Sequence, residues 1–375
     1  MAAKPRFDGE WVQLNQLCMK GKSALRQKDV IDDGPYAVYG ASGIIGSMST
    51  FQNGARYVAV VKDGAGVGRA SLCSPNTSVL GTMQALIPTE MVLPEYLLHL
   101  VRAMRLGEGF SGSTIPHIYF KDYGQRLVRC VPMAEQERIV GILGSIERQA
   151  DMLGAQLAKL DVLVKSRFVE MFGDPVSNEM GWPASTIKET SIIYGDGPFG
   201  SNLKSSDYVD EGVRVIRLGN IQQGYFSEKD QSFVSHEKYE QLNRYKCSPG
   251  EIVIATLGSP ILRACLVPDS CNPSIHKADC MYYEVDRDKL VPTFAMCVIN
   301  HPSMLRRAMA DVHGQTRGRI NSTQTGALPM ILPPLALQQE FADFVAEVDK
   351  SRFIVQQQIE RLQTLYDSLA QEYFS

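Results

Sequence analysis

The chain has 375 residues, of which 44% are hydrophobic, with a formal net charge of −3 and 8 cysteines. That length supports two or three domains with well-buried cores, and the charge balance does not advertise nucleic-acid binding, so local charge has to decide. No apolar run reaches a membrane span, Met1-Ala2-Ala3-Lys4-Pro5 starts no signal-peptide pattern, and no cysteines form a C-x-x-C pair; free thiols and a cytoplasmic location are expected.

Residues 1–133 read as a mixed α/β globular part. Gly34-Pro35 precedes a strand-like Tyr36-Ala37-Val38-Tyr39, and a second run, Tyr57-Val58-Ala59-Val60-Val61, leads into a turn at Asp63-Gly64. Gly64-Ala65-Gly66-Val67-Gly68 is incomplete as a dinucleotide fingerprint and has no ordered βαβ series around it, so it reads as a tight turn. A helix is expected over Pro94–Met104, then a loop over Gly107–Thr114, then a strand at Leu127–Val131.

Residues 134–173 read as one long helix. Its apolar seam is Ile139, Leu143, Ile146, Ala150, Leu153, Leu157, Leu160 and Val164, in alternating steps of four and three that suit a coiled coil. Gly173 followed by Asp174-Pro175 is a stop signal. At 1.5 Å per residue the helix is roughly 58 Å long, and its seam needs an equally long partner.

The chain supplies that partner, because Ala134–Phe172 recurs without a gap as Ala336–Phe374, an offset of 202 residues. Pro132, Gln136, Leu160, Leu163 and Ser166 fall on Pro334, Gln338, Leu362, Leu365 and Ser368. The second seam, in residues 333–375, is Phe341, Val345, Val348, Arg352, Val355, Ile359, Leu362, Tyr366 and Leu369. Arg352 has to snorkel or find an acidic partner there. Between the helices, residues 174–332 repeat the plan of the first part in different words: Glu251–Thr256 stands for Tyr57–Lys62, Arg263-Ala264 for Arg69-Ala70, and a helical stretch over Pro292–Met309 precedes a loop at Gly314–Asn321. The fold class expected is α+β, with two mixed domains, a pseudo-two-fold internal repeat and two long antiparallel coiled-coil helices. Cys265, Cys271, His276 and Cys280 cluster in the second part, but their spacings match no common zinc pattern and buried or surface thiols are expected.

Support for catalysis is weak. No G-x-S-x-G, no Walker loop and no Asn-Pro-Pro-aromatic run of base-flipping methyltransferases occurs, and no metal or cofactor is expected in this chain. Two loops do have the composition of nucleic-acid contacts. The first gathers Arg102, Arg105, Ser111, Ser113, Thr114, His117, Tyr119 and Lys121; the second gathers Arg306, Arg307, His313, Gln315, Thr316, Arg317, Arg319 and Asn321. A solvated polar loop is the ordinary reading of either, but their recurrence at one repeat position favours DNA. Lys62 and Arg69, with Lys204, Arg217, Asn220 and Arg263, are further candidates near turns.

With these residues in view, the chain resembles the specificity subunit (S subunit, HsdS) of type I restriction-modification enzymes along nearly its whole length. The likeness rests on Val38-Tyr39-Gly40-Ala41-Ser42-Gly43-Ile44-Ile45-Gly46, on Asp63-Gly64-Ala65-Gly66-Val67-Gly68-Arg69, and on Pro132-Met133-Ala134-Glu135-Gln136 with Pro333-Pro334-Leu335-Ala336-Leu337-Gln338. Ser42 joins the candidate DNA contacts on that basis. The resemblance implies two target recognition domains reading the halves of a bipartite, asymmetric site in double-stranded DNA. It implies helices that space them and dock two methyltransferase subunits, which carry S-adenosylmethionine, with ATP on a separate restriction and motor subunit. A helix of roughly 58 Å spans about 17 base pairs. A cytosolic coiled-coil scaffold that binds only proteins, and a specificity subunit of a fused restriction-methylation enzyme, are the alternatives.

Overall fold

The computed structural model describes residues 9–112, 115–310 and 318–375. They form two compact units: residues up to Gln156 together with Val355–Ser375, and Leu157–Ile354.

Each unit is built on the same three-sheet plan. In the first, Glu10–Gln13 pairs antiparallel with Leu127–Cys130, closing the domain just before the long helix. A four-stranded antiparallel sheet runs in the order Cys18–Lys20, Met83–Pro88, Tyr57–Val61, Ala70–Cys73. A smaller sheet orders Gly43–Met48, Tyr36–Gly40 and Ser78–Val79, the last pair parallel. In the second unit, the closing ladder is Ala184–Thr186 with Pro329–Ile331, and the four-stranded sheet orders Ser191–Asp196, Cys280–Val285, Ile252–Ala255 and Arg263–Leu266. Its remaining sheet has five strands and again one parallel pair, Val213–Ile216 beside Ser274–His276.

The central strands show why an unbroken apolar run was needed. Tyr57–Val61 is buried at every position. Side chains alternate across a strand, so Val58 and Val60 enter the core shared with helix Pro94–Ala103, while Tyr57, Ala59 and Val61 enter the core between sheets. In the second unit Ile252 and Ile254 take the first role, Val253 and Ala255 the second.

The two long helices span Met133–Phe172 and Leu335–Phe374, so their bounds keep the 202-residue repeat. In the first unit Ile139 and Leu143 of the first helix share a core with Tyr366, Leu369, Ala370 and Tyr373 of the second. In the second unit Val164, Phe168 and Phe172 share a core with Phe341, Phe344 and Val345. Each unit thus holds the beginning of one helix against the end of the other, an antiparallel pairing. Ile146, Val348 and Val355 are also buried, whereas Leu153, Leu157, Leu160, Ile359 and Leu362 are half-buried. Arg352 finds acidic partners: its guanidinium pairs with Asp161, at 2.7 Å, and with Asp349. Gly173 ends the first helix at φ +74°, and the Trp182 indole donates to the Phe172 carbonyl at 3.1 Å.

A polar clamp occurs in both units. Gln136, fully buried in the first turn of its helix, accepts from the Leu93 N–H at 2.9 Å and donates to the carbonyls of Met91 and Val131 at 2.8 and 2.9 Å. Gln338, equally buried, accepts from Val291 N–H at 2.9 Å and donates to Lys289 and Pro333 carbonyls at 3.0 and 2.8 Å. Leu93 and Val291 stand at the N-caps of helices Pro94–Ala103 and Pro292–Ile299, and neither carries a capping side chain. The glutamine caps those helices from outside.

One expected element is corrected. The helical stretch over Pro292–Met309 is two helices, Pro292–Ile299 and Pro302–Ala310. Pro302 cannot donate and excludes the helical conformation from its predecessor.

Candidate nucleic-acid interface

In both units a returning loop is stitched to the tip of the central hairpin. In the first unit the Ile118 N–H donates to the Lys62 carbonyl at 3.0 Å, Gly64 N–H to the Pro116 carbonyl at 3.0 Å, and His117 bridges Asp63. In the second, Ile320 N–H donates to the Thr256 carbonyl at 3.0 Å, Gly258 N–H to the Gly318 carbonyl at 3.4 Å, and Arg319 bridges Leu257. Ile118 and Ile320 are buried anchors, and their neighbours project at the tip. The glycine run is a turn, as its sequence suggests: Gly68 sits at φ +84°, and a Cβ there would lie 2.2 Å from the Gly107 nitrogen. Only glycine lets those backbones meet.

At the first tip the structure brings together His117, Tyr119 and Lys121. The His117 imidazole Nδ1 pairs with the Asp63 carboxylate, its ring lies 4.0 Å from that of Tyr119, and Lys121 Nζ stands 5.2 Å from the Tyr119 centroid. Tyr119 is 48% exposed. Arg69 curls back on the Gly66 carbonyl at 3.4 Å. Burial, and then the charge of Lys20, push the Lys62 ammonium below its ordinary pKa. Ser42 is exposed in the separate turn between Tyr36–Gly40 and Gly43–Met48.

At the second tip Arg319 Nη2 lies 2.7 Å from Asp279 Oδ1, an ion pair without aligned hydrogen-bond geometry, and its guanidinium stands 5.8 Å from the ring of Phe199. Arg263 donates to the Ile221 and Pro260 carbonyls. A second group joins Arg217 and Lys277, which stand 6.0 and 5.2 Å from the Tyr208 ring, with Arg217 also paired to Asp230. Exposed Lys204 opens a short turn closed by Asp207. Sequence reasoning missed Phe199, Tyr208, Lys277 and the orienting carboxylates Asp63 and Asp279. Their separation along the chain carries no local signal, and only the pairing of aromatics with cations identifies them once folded.

One candidate is corrected, and two others have partners within the fold. Asn220 is fully buried: its amide donates to the Ser227 and Asp230 carbonyls at 2.8 and 2.7 Å and accepts from Arg217 N–H at 2.9 Å, so it stitches a loop and offers nothing to a base. Asn321 caps helix Ser322–Gly326, accepting from Gln324 N–H at 2.8 Å. Arg102 turns to the long helix and pairs with Glu147. Ser113, Thr114, His313, Gln315, Thr316 and Arg317 lie outside the described residues.

The cysteine and histidine cluster lies in the apolar core. Cys265, Cys271 and Cys280 are buried there with Cys247, and burial pushes the Cys265 thiol up to about 12. His276 Nδ1 is 2.9 Å from the Tyr245 carbonyl, and burial pulls its pKa down to about 4 despite backbone hydrogen bonds that favour the charged form. His99 is lowered to about 4 as well, by burial and then by Arg102. An unfolded histidine titrates near 6.5. Below that pH the unfolded chain takes up protons that the folded chain refuses, so stability present above pH ~6.5 is lost as the pH falls towards ~4. Each histidine should remove about 2 kcal/mol between pH 6.5 and 5. Urea midpoints at pH 7 and 5 check this: His276→Gln and His99→Gln should each flatten the dependence, and an unchanged slope in both would refute it.

No family model matches the chain. Over 182 residues, 44% of the chain, it is 24% identical to the type I restriction enzyme MjaVIII specificity subunit of Methanocaldococcus jannaschii; the match spans 42% of that relative's length. Among solved structures, the type I restriction-modification S subunit from M. genitalium superposes with a TM-score of 0.56 at 14% identity, covering 100% of this chain and 98% of that one. A chain from work on complex assembly and conformational transition of the type I R-M system gives 0.54 at 16% identity, covering 99% and 98%. In fold along its whole length, and in sequence over part of it, the chain resembles type I specificity subunits.

Proposed function

We propose that this chain is the noncatalytic DNA-specificity subunit of a cytoplasmic type I restriction-modification complex. Residues 1–133 and 174–332 serve as two target recognition domains on double-stranded DNA. Residues 134–173 and 333–375 are the spacer helices, which dock two methyltransferase subunits and, through them, the restriction and motor subunits. The observation that carries this reading is the duplicated tip: one backbone scaffold, stitched alike in both units, presents different cationic and aromatic side chains. A constant frame with unlike readers suits an asymmetric bipartite site.

Docking of two like partners has its own support. Large apolar side chains are exposed at repeat-related helix positions: Met133 and Leu335 at 42 and 38%, Met152 and Ile354 at 64 and 56%, Leu163 and Leu365 at 47 and 46%. Met133, Met152 and Leu365 belong to the first unit; Leu335, Ile354 and Leu163 belong to the second. Equivalent exposed apolar sets suit two copies of one partner. Met152→Glu and Ile354→Glu should each weaken one methyltransferase contact roughly 10-fold or more while leaving the thermal midpoint of the isolated chain in place. Calorimetric titration checks this, and unchanged affinity in both variants would remove the docking assignment.

The whole proposal is tested by mapping methylation in DNA from cells that co-express the chain with its methyltransferase. A bipartite methylated motif that vanishes on deleting the chain is expected. Sequence-independent methylation by an active partner would instead favour the protein-only scaffold.

A further inference from the structure

His117 and Arg319 occupy one position of the repeat, 202 residues apart, and the tertiary structure treats them alike. Each lies directly before a buried isoleucine whose N–H is fixed to the hairpin, and each forms a bridge to the hairpin tip. A carboxylate engages each from a neighbouring turn, Asp63 for His117 and Asp279 for Arg319. An aromatic ring flanks each, Tyr119 at 4.0 Å and Phe199 at 5.8 Å. Asp279 itself is at φ +66°, an uncommon conformation for a residue other than glycine, and it stands in the turn that delivers strand Cys280–Val285.

The chemistry offered from that position differs. Arg319 presents a planar fork of donors whose free edge matches the N7 and O6 acceptors of guanine. His117, with Nδ1 turned to Asp63, presents the single atom Nε2 and engages one base atom only. A paired carboxylate and a flanking ring restrict where a side chain can reach, and base reading needs such a restriction beyond a phosphate contact.

We propose that His117 and Arg319 are one recognition position used twice, each specifying a base in the half-site of its own domain, with guanine the base read by Arg319. This deepens the specificity-subunit reading and rests on it.

The experiment uses the full chain co-expressed with its methyltransferase and maps methylated motifs for wild type, Arg319→Lys, Arg319→Ala and His117→Arg. Arg319→Lys keeps the charge and loses the fork, so it guards against a variant that merely fails to fold; thermal melting of each purified complex is measured alongside. Arg319→Lys and Arg319→Ala should relax one guanine in one half-site by roughly 5- to 100-fold, the discrimination of one bidentate pair. His117→Arg should change one base preference in the other half-site, and each variant should leave the opposite half-site as in wild type. A wild-type bipartite motif that stays unaltered in all three folded variants overturns the inference while leaving the specificity function standing. A uniform loss across all positions makes these phosphate contacts and also overturns it. A wild type without any motif sinks the specificity reading itself, and this inference with it.

Discussion

Gln338→Leu should strip the second unit of a large part of its stability. The glutamine is fully buried and satisfies three backbone groups: the N–H of Val291 and the carbonyls of Lys289 and Pro333. Leucine matches its bulk and satisfies none of them. A buried group left unpaired costs about 1–3 kcal/mol, so three of them sum to about 3–9 kcal/mol against a typical total of about 5–15. Gln338→Glu is a sharper control, because a carboxylate keeps the acceptor for Val291 and faces two carbonyls it cannot donate to. It should be at least as damaging near neutral pH. Hydrogen exchange localises the effect: helix Pro292–Ile299 and the start of the long helix should lose protection together. Gln136→Leu should do the same at Pro94–Ala103. Wild-type protection in Gln338→Leu would show the clamp to be incidental.

Phe172→Ala is the second large effect. The ring is fully buried and packs edge-on against Phe294 at 4.8 Å and Phe341 at 5.6 Å, with Phe168 at 5.3 Å. Phe168 also stacks on Phe294 at 5.8 Å. Four rings from three helices meet in this core. Truncation should cost about 3–5 kcal/mol, read as a lowered urea midpoint with little change in slope. Its repeat counterpart Phe374 is 7% exposed and, among the described residues, meets one ring, Tyr96, at 5.1 Å. Phe374→Ala should therefore cost distinctly less. Equal losses at the two positions would mean that the aromatic cluster adds nothing to simple burial.

The helices were legible from sequence because their signal is periodic and long. Ile139, Leu143, Phe341 and Val345 recur at coiled-coil steps, and all are buried. The central strands were legible for a related reason: Tyr57–Val61 and Ile252–Ala255 are apolar without alternation because both faces meet a core. Arg352 shows the limit of such reasoning. Its charge demanded a partner, but periodicity on its own helix pointed to neither Asp161 nor Asp349 in particular.

The loops were legible only as composition. Asn220 and Asn321 have the right chemistry for adenine, and the fold uses both on its own backbone. Short polar side chains satisfy nearby main-chain groups as readily as a ligand, and sequence does not say which happens. Arg102 likewise reads as part of a basic loop and pairs with Glu147 in the fold.

The duplication, the paired long helices and the α+β plan follow from the amino-acid pattern alone, since each is written in a repeat of apolar side chains that burial enforces. Which polar residues find partners within the fold emerges on folding. Tertiary structure sets Asp63 against His117 and Asp279 against Arg319, and it turns Gln136 and Gln338 into external caps. Those outcomes depend on side-chain direction and on partners distant in the chain, and hydrogen bonds are directional where hydrophobic burial is not.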